Sequence, residues 1–251
     1  MSLTDPLTLL AIAATFFVAG LVKGVVGLGL PIVVLALLAT TVGLKVAMAL
    51  FIIPGVAMNI WQALAGPEFL VLLRRLWPLW LVSAFAIFAG TTVLAAVDQD
   101  AAALAFGVLL AAYAAIRLVR VQLSVPPRAE PWLNPVVGAV AGFLFGATGQ
   151  YMVPGVLYIE ALGLKRDAFV QALGMTFLII TSVLGLGLAA NAIMSTEVAA
   201  ISTAAILPAF CGLLIGQAFR ARTSEKLFRQ LLFIWLGITG VFIAARSLQL
   251  V

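Results

Sequence analysis

Apolar runs long enough to cross a lipid bilayer recur along the whole chain, and no other feature narrows its folds so far. Broken at charged, glycine and proline clusters, the sequence yields about ten apolar segments. In the first half they cover about 7–23, 28–43, 46–66, 76–97 and 101–119; in the second, about 135–147, 151–163, 168–190, 197–219 and 227–248. Backbone polar groups inside lipid must be satisfied within the segment, so such runs become helices. Composition agrees: 65% of residues are hydrophobic and 9% charged, where a soluble surface needs about 25%. The reading is an all-α polytopic membrane protein. No basic stretch precedes the run that begins near Leu7, which therefore reads as a retained membrane segment.

The charges act as topology signals. With the N-terminus outside, Arg74, Arg75, Arg117, Arg120, Arg128, Lys165, Arg166, Arg220, Arg222, Lys226 and Arg229 fall inside. Lys45 and Arg246 fall outside, with Asp5, Asp98, Asp100 and Glu197; Lys23 stands apart. Eleven basic residues against two favour this orientation, with both termini periplasmic in a bacterial inner membrane. The net charge of +5 is then a matter of loops and not of a nucleic-acid partner.

Much chemistry is excluded. The chain has no histidine, which removes zinc-hydrolase, Ser-His and haem-ligating arrangements. Asp5, Asp98, Asp100 and Asp167 fall at segment ends, away from an intramembrane aspartyl pair. Cys211, the single cysteine, sits in an apolar run as a small packing residue. No GxxxxGK[ST] motif occurs, so this chain does not use ATP, and nothing calls for a cofactor.

The two halves resemble each other. GLVKGVVGLGLP (Gly20–Pro31) matches GFLFGATGQYMVP (Gly142–Pro154), placing Gly20, Gly24 and Gly27 on Gly142, Gly146 and Gly149, and Lys23 on Phe145. Gly43-Leu44-Lys45 falls on Gly163-Leu164-Lys165, Gly90 on Gly216, and Arg120 on Arg246. The expected organisation is a first repeat over 1–121, a cytoplasmic linker over 122–134 and a second repeat over 135–251. Five segments per half invert the second copy, a frequent transporter design.

The opening pair of each half is expected to be short. A run such as 135–147 spans about 18–20 Å, less than the ~30 Å hydrocarbon core. Two readings compete: re-entrant hairpins whose glycine tips meet near the membrane centre, or pairs of short crossing helices. In the first, backbone N–H groups at the returning helices, which begin near Leu28 and Tyr151, face an anion. In the second, the glycines pack helices closely and Lys23 anchors at the surface.

The candidate substrate-binding residues are Lys23, Gly24, Gly27 and Gly29 at the first turn, and Gly146, Thr148, Gly149, Gln150 and Tyr151 at the second. Asn59 and Gln62 in the third segment and Gln171 and Thr176 in the eighth are polar residues in apolar surroundings, which serve either a substrate or helix contacts. Glu160 is a candidate proton-coupling carboxylate. Pro31, Pro54 and Pro154 set helix starts or kinks.

GLVKGVVGLGLPIVVL with AMALFIIPGVAMNIWQAL, and GFLFGATGQYMVPGVLYIEALGLKRDAFVQALGMTFL later, resemble the two halves of the TauE/SafE sulfite exporter family, also called the toluene sulfonate uptake permease family. The likeness covers almost the whole chain and implies transport of sulfite, sulfonates or related sulfur anions. Members often carry a run of glycines where this chain has Gly27-Leu28-Gly29-Leu30 and Gly149-Gln150-Tyr151. The expectation is a secondary transporter exporting a small anion by alternating access, with lipid around it and a proton or sodium ion as candidate coupling ion. A channel-like facilitator of the same fold is the second reading; a membrane enzyme or structural subunit lacks a catalytic constellation. The small residues of 101–115 suit packing within the bundle or against another protomer.

Overall fold

All ten apolar runs become helix. The computed structural model describes residues 3–27, 29–119, 123–220 and 225–249. The first half holds α1 (Pro6–Val26), α2 (Leu30–Leu38), α3 (Leu44–Leu64), α4 (Phe69–Ala96) and α5 (Gln99–Val119). The second holds α6 (Glu130–Thr148), a π-helical turn (Met152–Val156) running into α7 (Leu157–Ala161), α8 (Arg166–Ala190), α9 (Thr196–Ala204), α10 (Ile206–Arg220) and α11 (Glu225–Ser247). Among the described residues there is no strand, and eight helical runs are long and apolar enough to cross a membrane, α9 and α10 forming one of them. The protein is an all-helical multi-pass membrane protein. Leu28, Arg120 and Arg222 lie outside the described residues, as do the side chains of Arg220 and Lys226.

Two helices begin earlier than their apolar runs. α4 starts at Phe69 instead of near residue 76, and α6 at Glu130 instead of 135. The charges that mark the edges of those runs neutralise each other: Arg75 Nε and Nη2 donate to Glu130 Oε2 and Oε1 at 2.8 and 2.6 Å. Pro131 sits in the first turn of α6, where a missing N–H costs nothing. The first member of each opening pair is consequently not short. α6 has 19 residues and α1 has 21, about 28 and 31 Å at 1.5 Å per residue, against the ~18–20 Å expected. Only the second members are short, with nine residues in α2 and five in α7.

The helices gather into two compact units, each drawing on both sequence halves. The first comprises Met1–Pro54, Asp98–Val119 and Ile193–Val251; the second comprises Gly55–Val97 and Arg120–Ala192. In the first unit α1 lies along α10 and α5 along α11; in the second α4 lies along α6 and α8. Glycine sets both close contacts. A Cβ on Gly216 would stand 3.0 Å from the Gly24 Cα, and one on Gly90 would stand 2.9 Å from the Gly146 Cα. Gly24 corresponds to Gly146 and Gly216 to Gly90, so each unit joins the opening helix of one half to the fourth segment of the other. Between lipid-immersed helices, which lack a hydrophobic drive to associate, such backbone contact supplies dispersion energy that a side chain would block.

Within the first unit, Pro54 removes the N–H that the Leu50 carbonyl would accept in α3. Ser202 of α9 restores the bond, its Oγ donating to Leu50 O at 2.6 Å. The hydroxyl is fully buried.

Candidate functional site

Both opening pairs are hairpins closed at a glycine tip. In the second unit α6 ends at Gly149, whose left-handed backbone (φ 75°) lets its N–H bond Phe145 O at 2.8 Å. In the first unit α1 ends likewise at Gly27 (φ 87°), with its N–H on Lys23 O at 2.7 Å. The hairpins open where they started. Arg75 holds Glu130 at the start of α6 and also donates to Leu162 O, just past α7, at 3.5 Å. The Val125 N–H, five residues before α6, bonds Ala161 O at 3.0 Å. In the first unit a small apolar cleft of about 100 Å³ is lined by Leu7, Thr8, Ala11 and Ile12 from the start of α1, by Leu38 at the end of α2 and by Thr41 and Val42 beyond it.

The second tip is the more polar. Thr148 Oγ1 donates to Leu144 O at 2.7 Å and accepts the Gln150 N–H at 3.2 Å. Tyr151, 1% exposed, stands edge-on to Phe145 at 5.7 Å and to Phe177 at 6.2 Å between ring centroids. Its hydroxyl shares a 3.1 Å hydrogen bond with Ser83 Oγ, which donates to Gly138 O at 3.1 Å. Gly155 leaves the space that the Tyr151 ring fills. Gln150 is 1% exposed, and its Nε2 has no partner among the described residues. Burying an unpaired amide donor costs about 1–3 kcal/mol, so this position is conspicuous.

The first tip is simpler. Lys23 lies inside the last turn of α1, 8% exposed, and not between the helix and its turn. Gly29 (φ 112°) precedes α2, and Pro31 stands in the first turn. Gly24 and Gly146 stand apart from the turns and serve the helix contacts with α10 and α4.

The remaining candidates divide by what already binds them. Gln171 is fully used: Nε2 donates to Ala63 O at 3.0 Å and Gly66 O at 2.7 Å, and Oε1 accepts the Glu68 N–H at 2.9 Å. It closes the C-terminal end of α3, where helical carbonyls lose their own donors. Gln62 Nε2 donates to Val170 O at 3.0 Å. Thr176 Oγ1 donates to Ala172 O at 2.7 Å and accepts Trp80 Nε1 at 2.9 Å. These three tie helices of the second unit together. Asn59 is buried in α3, and Glu160 is exposed on α7.

One polar group had no signal in the sequence beyond its residue types. Tyr158 donates to Asn134 Oδ1 at 2.9 Å, Asn134 Nδ2 donates to Arg75 O at 3.0 Å, and Arg75 pairs with Glu130. In the sequence Arg75 is a topology charge, and Glu130 and Asn134 belong to the expected linker. The partners lie 24–59 positions apart in sequence.

No curated protein and no solved structure matches the chain. A family model does, the sulfite exporter TauE/SafE model, over residues 12–243. That span includes both hairpin tips and every helix contact described above, and the chain accordingly belongs to the TauE/SafE sulfite exporter family, a family of membrane transporters of sulfur anions.

Proposed function

We propose that the protein is a secondary transporter that moves sulfite, or a related organosulfonate, out of the cell by alternating access. The observation that carries this reading is the pair of equivalent helix breaks. Gly27 and Gly149 each close a long helix and turn the chain into one too short to cross. Broken helices are tolerated at membrane depth where they are buried or line a cavity, and transporters use them to hold ions. Buried polar side chains beside the two breaks, Lys23 at one and Gln150 at the other, suit an anion.

In this reading the two halves form an inverted repeat, with the linker cytoplasmic and both termini periplasmic. The candidate binding residues are Lys23, Gly27 and Gly29 at the break of the first unit and, taken by themselves, Thr148, Gly149, Gln150 and Tyr151 at the break of the second. Asn59 stands in reserve as a buried polar group of α3. Gln62, Gln171 and Thr176 are assigned to the scaffold, because their hydrogen bonds are already made. The membrane potential, negative inside, favours anion exit without nucleotide hydrolysis. Glu160 is the carboxylate to test for proton coupling.

The test is efflux and uptake of labelled sulfite, with small sulfonates beside it, in proteoliposomes. Saturable flux with counterflow supports a carrier; flux that neither saturates nor exchanges supports the channel-like facilitator. Lys23→Ala is expected to reduce flux at least tenfold. Folded protein that moves no sulfur anion would sink the substrate class.

A further inference from the structure

Two side chains of the second unit are buried with a polar atom that has no partner among the described residues: Gln150 at Nε2 and Thr181 at Oγ1. Gln150 is 1% exposed and Thr181 0%. Both flank the contact between the Tyr151 and Phe177 rings, one along the chain and the other along α8. Gln150 adjoins Tyr151, whose ring is edge-on to Phe177 at 6.2 Å, and Thr181 follows Phe177 by one turn on the same face of α8.

Other buried hydroxyls of the second unit are already engaged. Thr148 bonds Leu144 O and the Gln150 N–H, Tyr151 bonds Ser83, and Thr176 bonds Ala172 O and Trp80. What remains is one amide donor and one hydroxyl donor, both buried. Buried polar groups without partners are kept where a ligand supplies them. A group with acceptor oxygens only, such as the S–O oxygens of a sulfite or sulfonate, complements a pair of donors.

We infer that Gln150 and Thr181 form a neutral two-donor subsite for the oxygens of the transported anion, with Thr181 a specificity-determining residue that its position in an ordinary apolar helix conceals. This rests on the transport reading and adds to it the chemistry of one contact. At this contact neutral donors add hydrogen bonds to an oxyanion without adding charge, which favours loading without preventing release.

The experiment compares wild type, Gln150→Leu and Thr181→Val, with Ser182→Ala as the control on the exposed side of α8, where its hydroxyl bonds Leu178 O. Sulfite flux in proteoliposomes gives KM, and thermal unfolding in detergent gives Tm with and without sulfite, sulfate, thiosulfate or a small sulfonate. Removing one hydrogen bond to a charged ligand is expected to raise KM about tenfold to a hundredfold. Because each substitution replaces an unmatched polar atom by an apolar one of similar shape, Tm without ligand should hold or rise while the anion-induced shift disappears. Thr181→Val with wild-type KM, whether its Tm is unchanged or lowered, overturns the subsite and leaves sulfite transport by the wild type standing. Wild type that moves none of these anions and shifts with none of them overturns subsite and transport reading together. Should Gln150→Leu fail to fold, Gln150→Met and the independent Thr181 variant decide the matter by the same KM criterion.

Discussion

Gln171 and Gln150 are both about 1–2% exposed in the second unit, yet one amide is held by three backbone groups and the other has an unmatched donor. Truncating Gln171 to Leu strands the Ala63 and Gly66 carbonyls and the Glu68 N–H. The loss is expected to be roughly 2–4 kcal/mol, softened where water reaches the turn, and a fall in Tm in detergent will report it. In the sequence both are polar residues in apolar surroundings, and nothing there says which of them is already held. The partners of Gln171 lie 103–108 positions away, and nothing local announces them. Lys23, Thr148, Gln150 and Tyr151 stand out in the sequence as candidates because they adjoin a repeated glycine motif. Thr181 has no such neighbour and was passed over.

At the scale of the element, glycine has two jobs that substitution separates. At Gly24 a Cβ would press on the backbone of Leu213 and Gly216; Gly24→Leu is expected to push α10 away and abolish accumulation of folded protein. At Gly27 a Cβ would meet nothing within 4 Å, so Gly27→Ala carries only the left-handed strain of φ 87°, about 1–2 kcal/mol. Western blots of membranes and a detergent melting curve distinguish the two. Ser202→Ala should likewise cost about 1–3 kcal/mol by orphaning the Leu50 carbonyl that Pro54 cannot serve. Hydropathy alone gives the helical runs, but not the break between α9 and α10 or the π-helical turn before α7. Nor does it give the starts of α4 and α6, because Arg74, Arg75 and Glu130 look like helix-ending charge until Arg75 and Glu130 are seen to pair.

At the scale of the molecule, the compact units cut across the sequence halves. Residues 1–122 and 123–251, expressed separately, are therefore expected to leave Gly24 without Gly216 and Gly90 without Gly146. Each fragment should be degraded alone, and co-expression should restore both, as membrane abundance will show. A reporter fused in the linker at 123–129 should remain cytoplasmic if the basic residues set orientation. The glycine spacing shows a likeness between the two halves. It does not show the exchange of partners, since matching landmarks give which residues correspond and not which ones touch.

The pairing of α1 with α10 also sets a schedule for biogenesis. The backbone that covers Gly24 is made about 190 residues after it, which at about 5–20 residues per second takes roughly 10–40 s. Through that interval the small-residue groove of α1 faces lipid or the insertion machinery, and any other small-residue helix can occupy it. A ribosomal pause before α10 lengthens the window in which α1 is mispaired or clipped, so synonymous codon changes near residue 200 should alter yield without altering the protein.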